Sequence, residues 1–318
     1  MVLAAVADVA PGNPFFTAAY VQARRACGDH PVVLGVWSGA AVVAACPAYL
    51  HRRSRALDIV SLPTLSDGVE EFWPGVLRFC RTQRVRFLSI DSFGSSAASI
   101  PPLAHEVSRR ARREFVLALG TDPLAGLSSN HRRNVARARA RGVTVRRGHT
   151  AEARTTHGRL VAASLDRRTA RGETVNAGGG VDMSQALMQT GAGELVQAVR
   201  GDEVLSSILV LRARCAAYYH SAGTSPDGMA VGASHFLVAS LAAALRDEGL
   251  QSFNLGGAGD EGGLRRFKEG FGARVVPLEA AQFSTEWTLT RKARTALRLA
   301  RDNPGGLARS LVARLLTR

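Results

Sequence analysis

Between residues 195 and 255 the chain runs through three strand-like segments, a long apolar helix and a short buried strand, an order that few folds accept. Segments 195–200, 205–212 and 215–222 carry the aliphatic and aromatic residues that suit a half-buried pleated surface. The helix, 236–248, is closed by Gly249, which can turn left-handed without steric cost, and the strand 252–255 follows at once. Strands this interleaved with helices exclude an all-β sandwich and predict a mixed α/β fold.

Upstream, residues 14–26 are predicted helical behind the capping residue Asn13, and 32–37 with 40–47 form a hairpin turning at Ser38-Gly39. A strand at 86–90 ends on Asp91 and opens into the small-residue loop 92–99. The arginine-rich run 109–113 leads into an apolar strand at 114–119. Residues 124–141 read as a basic helix stopped by Gly142, with a strand at 143–146. A chain of 318 residues with 46% hydrophobic content can bury two cores of ordinary size. The expected division is 1–120, 121–285 and a basic amphipathic tail at 286–318.

No run reaches the roughly 18 apolar residues of a spanning helix, and the apolar start lacks a basic flank, so a cytoplasmic protein is expected. Cys27, Cys46, Cys80 and Cys215 form no CxxC pair and no ligand spacing, which suits a reducing compartment and predicts no metal site. Against 26 Asp and Glu stand 41 Lys and Arg, a net charge of +15 that favours polyanions or anionic surfaces as partners. Part of that excess follows from a composition rich in Arg and Ala. Yet only Lys268 and Lys292 are lysines. A chain that otherwise writes arginine has kept a compact point charge at 268, where a planar fork is no substitute.

The strongest chemical signal is Phe253-Asn254-Leu255-Gly256-Gly257 followed by Gly263-Leu264-Arg265-Arg266-Phe267-Lys268-Glu269-Gly270-Phe271-Gly272. It is a strand ending in glycines, then a short turn that presents one lysine between two aromatics, where a low local dielectric strengthens the ammonium's field. This pair of segments resembles the closing motif of the Fem ligases, which add amino acids from aminoacyl-tRNA to peptidoglycan precursors, and of related GNAT-superfamily acyltransferases. The order hairpin, loop, helix, strand is that of the cofactor-binding half of a GNAT domain. The basic helix with Arg132, Arg133, Arg137 and Arg141 is similar to the one leading into the family's second domain. Thr169-Ala170-Arg171-Gly172 and the aromatic strand from Ala217 to Thr224, followed by Gly232-Ala233-Ser234, also match.

The resemblance implies tandem GNAT-like mixed sheets, with the tail returning as helix onto the first unit. It implies attack of an acceptor amine on an ester or thioester, with Lys268, backed by Phe267, facing the oxyanion of the tetrahedral intermediate. Arg171 would hold an acceptor phosphate or carboxylate, Tyr219 and Thr224 would line the acceptor groove, and Gly256, Gly257, Gly232 and Ser234 would receive the donor. Asp91 and His220 are the candidate bases. No bound cofactor is expected; the donor is aminoacyl-tRNA, with acyl-CoA as the alternative, and a non-catalytic RNA- or membrane-surface-binding protein as a third reading. The acceptor is a peptidoglycan precursor or a natural-product amine, the basic tail a possible membrane contact, and the protein a monomer.

Two departures bear on the donor: the chain has no coiled-coil insertion, and no Arg/Gln-x-x-Gly-x-Gly/Ala pyrophosphate loop before its apolar helix. Residues 257–262 satisfy GxGxxG but lead into a short charged turn broken at Gly270, not a packed dinucleotide-binding helix. GxSxG, HExxH and the Walker loop are absent.

Overall fold

The computed structural model describes residues 6–8, 10–39, 41–65, 70–96, 99–172, 181–258 and 262–285. The tail expected at 286–318 lies outside these residues. Asn13 caps a 3-10 turn at Pro14–Phe16 by accepting from the Phe15 N–H at 3.0 Å. Thr17, in extended conformation, then caps α1 (Ala18–Ala26), so the single helix expected there is two pieces with two caps. The hairpin forms as expected from β1 (His30–Ser38) and β2 (Ala41–His51), with Ser38 opposite Ala41. β3 (Ala56–Ile59) and β4 (Thr64–Leu65) both pair with β2, and α2 (Phe72–Thr82) leads to β5 (Phe87–Ile90), parallel to β3.

β6 (Glu106–Ala118) is longer than the sequence suggested, because the arginine run 109–113 is itself strand. Its charges are paired instead of looped out: Arg109 bonds Glu106 and Glu279, and Arg112 bonds Glu114. The basic helix α3 (Ser129–Ala140) starts later than expected, since Ser128 accepts from the His131 N–H and caps it. Then follow β7 (Thr144–Gly148), α4 (Ala151–Ala170), α5 (Val181–Gln189), β8 (Gly193–Arg200), β9 (Glu203–Arg212) and β10 (Ala216–Thr224). The chain continues through α6 (Pro226–Val231), α7 (Ala233–Asp247), β11 (Ser252–Gly257), α8 (Gly263–Glu269) and β12 (Arg274–Ser284).

The strands make one twelve-stranded mixed sheet in the order β1-β2-β3-β5-β12-β6-β11-β10-β9-β8-β7, with β4 beside β2. The two sheets expected from the sequence are thus joined edge to edge. The joint is β12, which pairs with β5 over Ala281–Ser284 and with β6 over Arg274–Phe283. One apolar core gathers Phe15, Phe16, Tyr49, Ile59, Leu88 and Ile90 and continues into Leu187, Leu195 and Leu209 of the later strands and helices. The other packs Phe115, Phe253, Phe271 and the apolar face of α7.

Close approach of α4 to the sheet depends on Gly223. A Cβ there would stand 2.1 Å from the Leu160 carbonyl carbon, and helix backbone cannot yield as a side-chain tip can. Gly223→Ala is therefore expected to destabilise the fold by about 3 kcal/mol, the upper end of overpacking costs. Chemical denaturation checks this: the midpoint falls while the denaturant slope holds.

Candidate active site where two parallel strands part

β10 and β11 run parallel for three residue pairs, Ala216–Ser252, Ala217–Phe253 and Tyr218–Asn254. Beyond them β10 continues to Thr224 on β9, with a register shift between Tyr219 and Ser221. β11 shifts register on β6 between Asn254 and Gly257, where Gly256 adopts φ +73°. That value favours glycine, and a Cβ would also meet the Tyr219 carbonyl at 3.2 Å.

Lys268, from α8, fills the apex of the opening. It is 3% exposed, and its Nζ donates to the Gly257 carbonyl at 2.6 Å. The rings of Tyr219 and Phe115 lie 5.7 and 6.0 Å from the ammonium. Burial brings its pKa down to about 7, against the opposing pull of Glu114, while Arg168 lowers it further. A lysine so held can offer a charge to a developing oxyanion below pH 7 and sits partly neutral above it.

Behind Gly256 lies a buried polar network centred on Glu114, fully excluded from solvent. Its carboxylate accepts from the Tyr218 hydroxyl at 2.8 Å, Asn254 Nδ2 at 2.7 Å, the Gly94 N–H at 3.0 Å and Arg112 at 3.0 Å. Arg112 lies over the Phe93 ring at 3.9 Å and reaches Asp91 Oδ1 at 3.5 Å. Burial raises the Asp91 pKa, opposed by Arg112 and Arg110, and its Oδ1 accepts no hydrogen bond among the described residues. A cleft of about 510 Å³ opens beside this network, with Asn13, Gly94, Ser95, Tyr218, Asn254 and Arg274 on its walls.

Residues 125–269 match the family model described as an acetyltransferase (GNAT) domain. This segment is a GNAT domain. No curated protein sequence matches the chain. Among solved structures the fold is similar to that of FemX, with 13% identity over 88% of this chain and 94% of that one, at a TM-score of 0.67. L-PGS from Bacillus licheniformis gives 13% identity, 91% and 93% coverage and a TM-score of 0.56. A tandem GNAT protein from the clavulanic acid biosynthesis pathway gives 15%, 90% and 94%, and 0.54. The chain therefore shares its overall fold with these proteins, the tandem GNAT protein among them.

Within the GNAT domain the other expected residues are placed as follows. Phe267 packs among His131, His235 and Phe271. Thr224 is bonded through Oγ1 to Ser206 and through its carbonyl to Arg167. His220 sits at the register shift of β10, with Nδ1 buried and unpartnered among the described residues and its pKa brought down to about 4 by burial. A base that weak is a poor proton acceptor at neutral pH. Arg171 caps α4 at the surface, beside residues 173–180, which lie outside the described set.

Gly232 and Ser234 open α7, but α3 covers that helix start: a Cβ on Gly232 would meet the Asn134 carbonyl at 2.7 Å. Arg132, Arg133, Arg137 and Arg141 are all exposed. Sequence reasoning did not single out Glu114, Arg112, Tyr218 or Asn254 as site residues. The one available signal was an acid opening an apolar strand straight after an arginine run, the pattern of a buried ion pair. No helix among the described residues is long and apolar enough to cross a membrane. No cluster of three His, Cys, Asp or Glu is placed among them to hold a metal.

Proposed function

We propose that this acyltransferase moves an aminoacyl group from aminoacyl-tRNA to an amine acceptor in the cytoplasm. The observation that carries this reading is Lys268, an ammonium held on the Gly257 carbonyl where β10 and β11 part. The acceptor amine attacks the ester carbonyl, the C–O bond to the ribose breaks, and the amine's proton passes by way of a base to the ribose oxygen, which leaves as a hydroxyl. Lys268 faces the oxyanion of the tetrahedral intermediate, where one such contact contributes about 3–4 kcal/mol of barrier lowering. Asp91 is the candidate proton acceptor, since burial raises its pKa and one of its oxygens is unsatisfied.

Two features favour a tRNA donor over coenzyme A. The helix start that would cradle a pyrophosphate is roofed by α3, and α3 itself presents Arg132, Arg133 and Arg137 to solvent, with Arg141 just beyond its end. The acyl-CoA reading keeps support from the family description and from the tandem GNAT neighbour. Peptidoglycan precursors and natural-product amines are both chemically suited acceptors, and residues 291–318, with eight basic side chains and one acid, are a second polyanion or membrane contact.

Incubation with labelled aminoacyl-tRNA pools and, separately, with labelled acetyl-CoA tests the donor. Label from tRNA is expected to reach an amine acceptor. Binding of tRNA should weaken steeply with salt, and replacing Arg132 or Arg133 by Gln should flatten the log–log slope by about 1 per lost phosphate contact. Absence of tRNA affinity at low salt would overturn the reading in favour of acyl-CoA.

A further inference from the structure

The turn that carries Lys268 is held from outside by the start of the basic helix. Ser128 donates its backbone N–H to the Gly270 carbonyl at 2.8 Å. The His131 ring donates through Nε2 to the Phe267 carbonyl at 2.8 Å, while Nδ1 meets the Ser128 hydroxyl at 3.0 Å. With Nε2–H committed to a carbonyl, Nδ1 must be the acceptor, so one neutral tautomer satisfies both bonds. Burial lowers the His131 pKa, which keeps that tautomer in place at neutral pH.

The packing leaves the ring no freedom. A Cβ on Gly270 would stand 2.2 Å from His131 Cε1, so the imidazole lies directly on the glycine backbone. Gly126 and Gly272 touch in the same way, 3.0 Å from a Cβ on the first to the Cα of the second. His235 meets the His131 ring edge-on at 4.5 Å, and Phe267 and Phe271 enclose the pair. A glycine at 270 and a histidine at 131 are thus complementary parts of one contact, one residue supplying the space and the other filling it.

We propose that His131 is a positioning residue for Lys268. By fixing the Phe267 carbonyl it sets the orientation of the next residue, whose side chain must reach the Gly257 carbonyl through the gap between β10 and β11. This rests on the role given to Lys268 above. Without the bond from His131 the turn loosens, water reaches the ammonium, and the amine is displaced from the place where the oxyanion forms. Displacements of that size cost turnover more than binding.

The chain's two lysines make the test direct, because protein labelled with 13Cε-lysine gives one signal from Lys268 and one from Lys292. His131→Phe keeps a ring but no donor, and His131→Asn keeps the reach to Ser128 without that to Phe267. Either variant, whichever folds, is expected to lower kcat by about 10- to 100-fold with KM for the acceptor unchanged. Each should also move the Lys268 titration upward by about one pH unit as burial is relieved. His131→Gln, whose amide N–H falls near the position of Nε2, should restore both. Unchanged kcat and unchanged Lys268 titration in both the Phe and the Asn variants would overturn the proposal. A titration that moves in these variants while Lys268→Met retains full turnover would leave the clamp standing and remove the catalytic reading instead.

Discussion

Lys268→Met is expected to lower kcat/KM about 100- to 1000-fold while making the protein more stable at pH 6. Both effects come from the same burial. The folded-state pKa of about 7 lies below a lysine's ordinary value of 10.5. Below pH 7 the lysine is charged in both states and the folded protein holds that charge at a cost on the order of 5 kcal/mol. Between pH 7 and 10.5 the unfolded chain binds the extra proton, so native stability rises with pH through that window. Methionine fills a similar volume without a charge, so its stability should be flat over the same range. Denaturant unfolding at pH 6 and pH 9 reads this difference. A charged Lys268 at the oxyanion also requires wild-type activity to decline as pH rises through about 7. Turnover within threefold of wild type in the methionine variant would assign the turn to structure alone.

Removing the carboxylate of Glu114 should do the opposite, costing stability first. Glu114→Ala takes from Arg112 its closer carboxylate, leaving it Asp91 at 3.5 Å, and strips the acceptor from Tyr218, Asn254 and the Gly94 N–H. Breaking a buried pair in this way costs about 3–5 kcal/mol, because the buried guanidinium keeps only the longer ion pair to Asp91. The double variant Arg112→Met/Glu114→Gln removes the stranded charge and returns an acceptor oxygen, so it should recover most of the loss. A single variant and a double variant of equal stability would show that Arg112 is not bound to Glu114 energetically. Measured midpoints for the three proteins settle the comparison.

β8, β9, β10, α7 and β11 were legible because their apolar runs are bounded by clear turn residues, Gly249 above all. The short β3, β4 and α6, together with α2 and α5, were not singled out, and two longer elements were missed for physical reasons. α4 buries only Ala153, His157 and Leu160 on its inner face and carries Gly158 and several threonines, so its sequence has little helical periodicity. β12 has Pro277 in its middle, which argues against an inner strand. The structure accommodates it because β5 reaches β12 only at Ala281–Ser284, leaving Pro277 a paired strand on one side, opposite Arg113. In the site, Lys268 and the glycines of β11 stood out by type and spacing. Glu114 and Arg112 did not, since burial of a charged residue is decided by partners distant in sequence, such as Tyr218 and Asn254. His131 was equally hidden: its partner carbonyl lies 136 residues away.

The position of β12 also governs the order in which the molecule can be assembled on the ribosome. The first strands, β1 to β5, emerge early, yet the hydrogen-bonding edge of β5 has no partner until Ser284 has been synthesised. For most of translation, then, the nascent chain carries an open strand edge with exposed amides and carbonyls, the feature that recruits non-native pairing. β5 is only four residues long, Phe87–Ile90, which keeps that sticky edge short while it waits. A chain ending before residue 274 would leave the edges of both β5 and β6 unclosed, so nonsense truncation in the last described strand should yield aggregated protein in place of a smaller folded one.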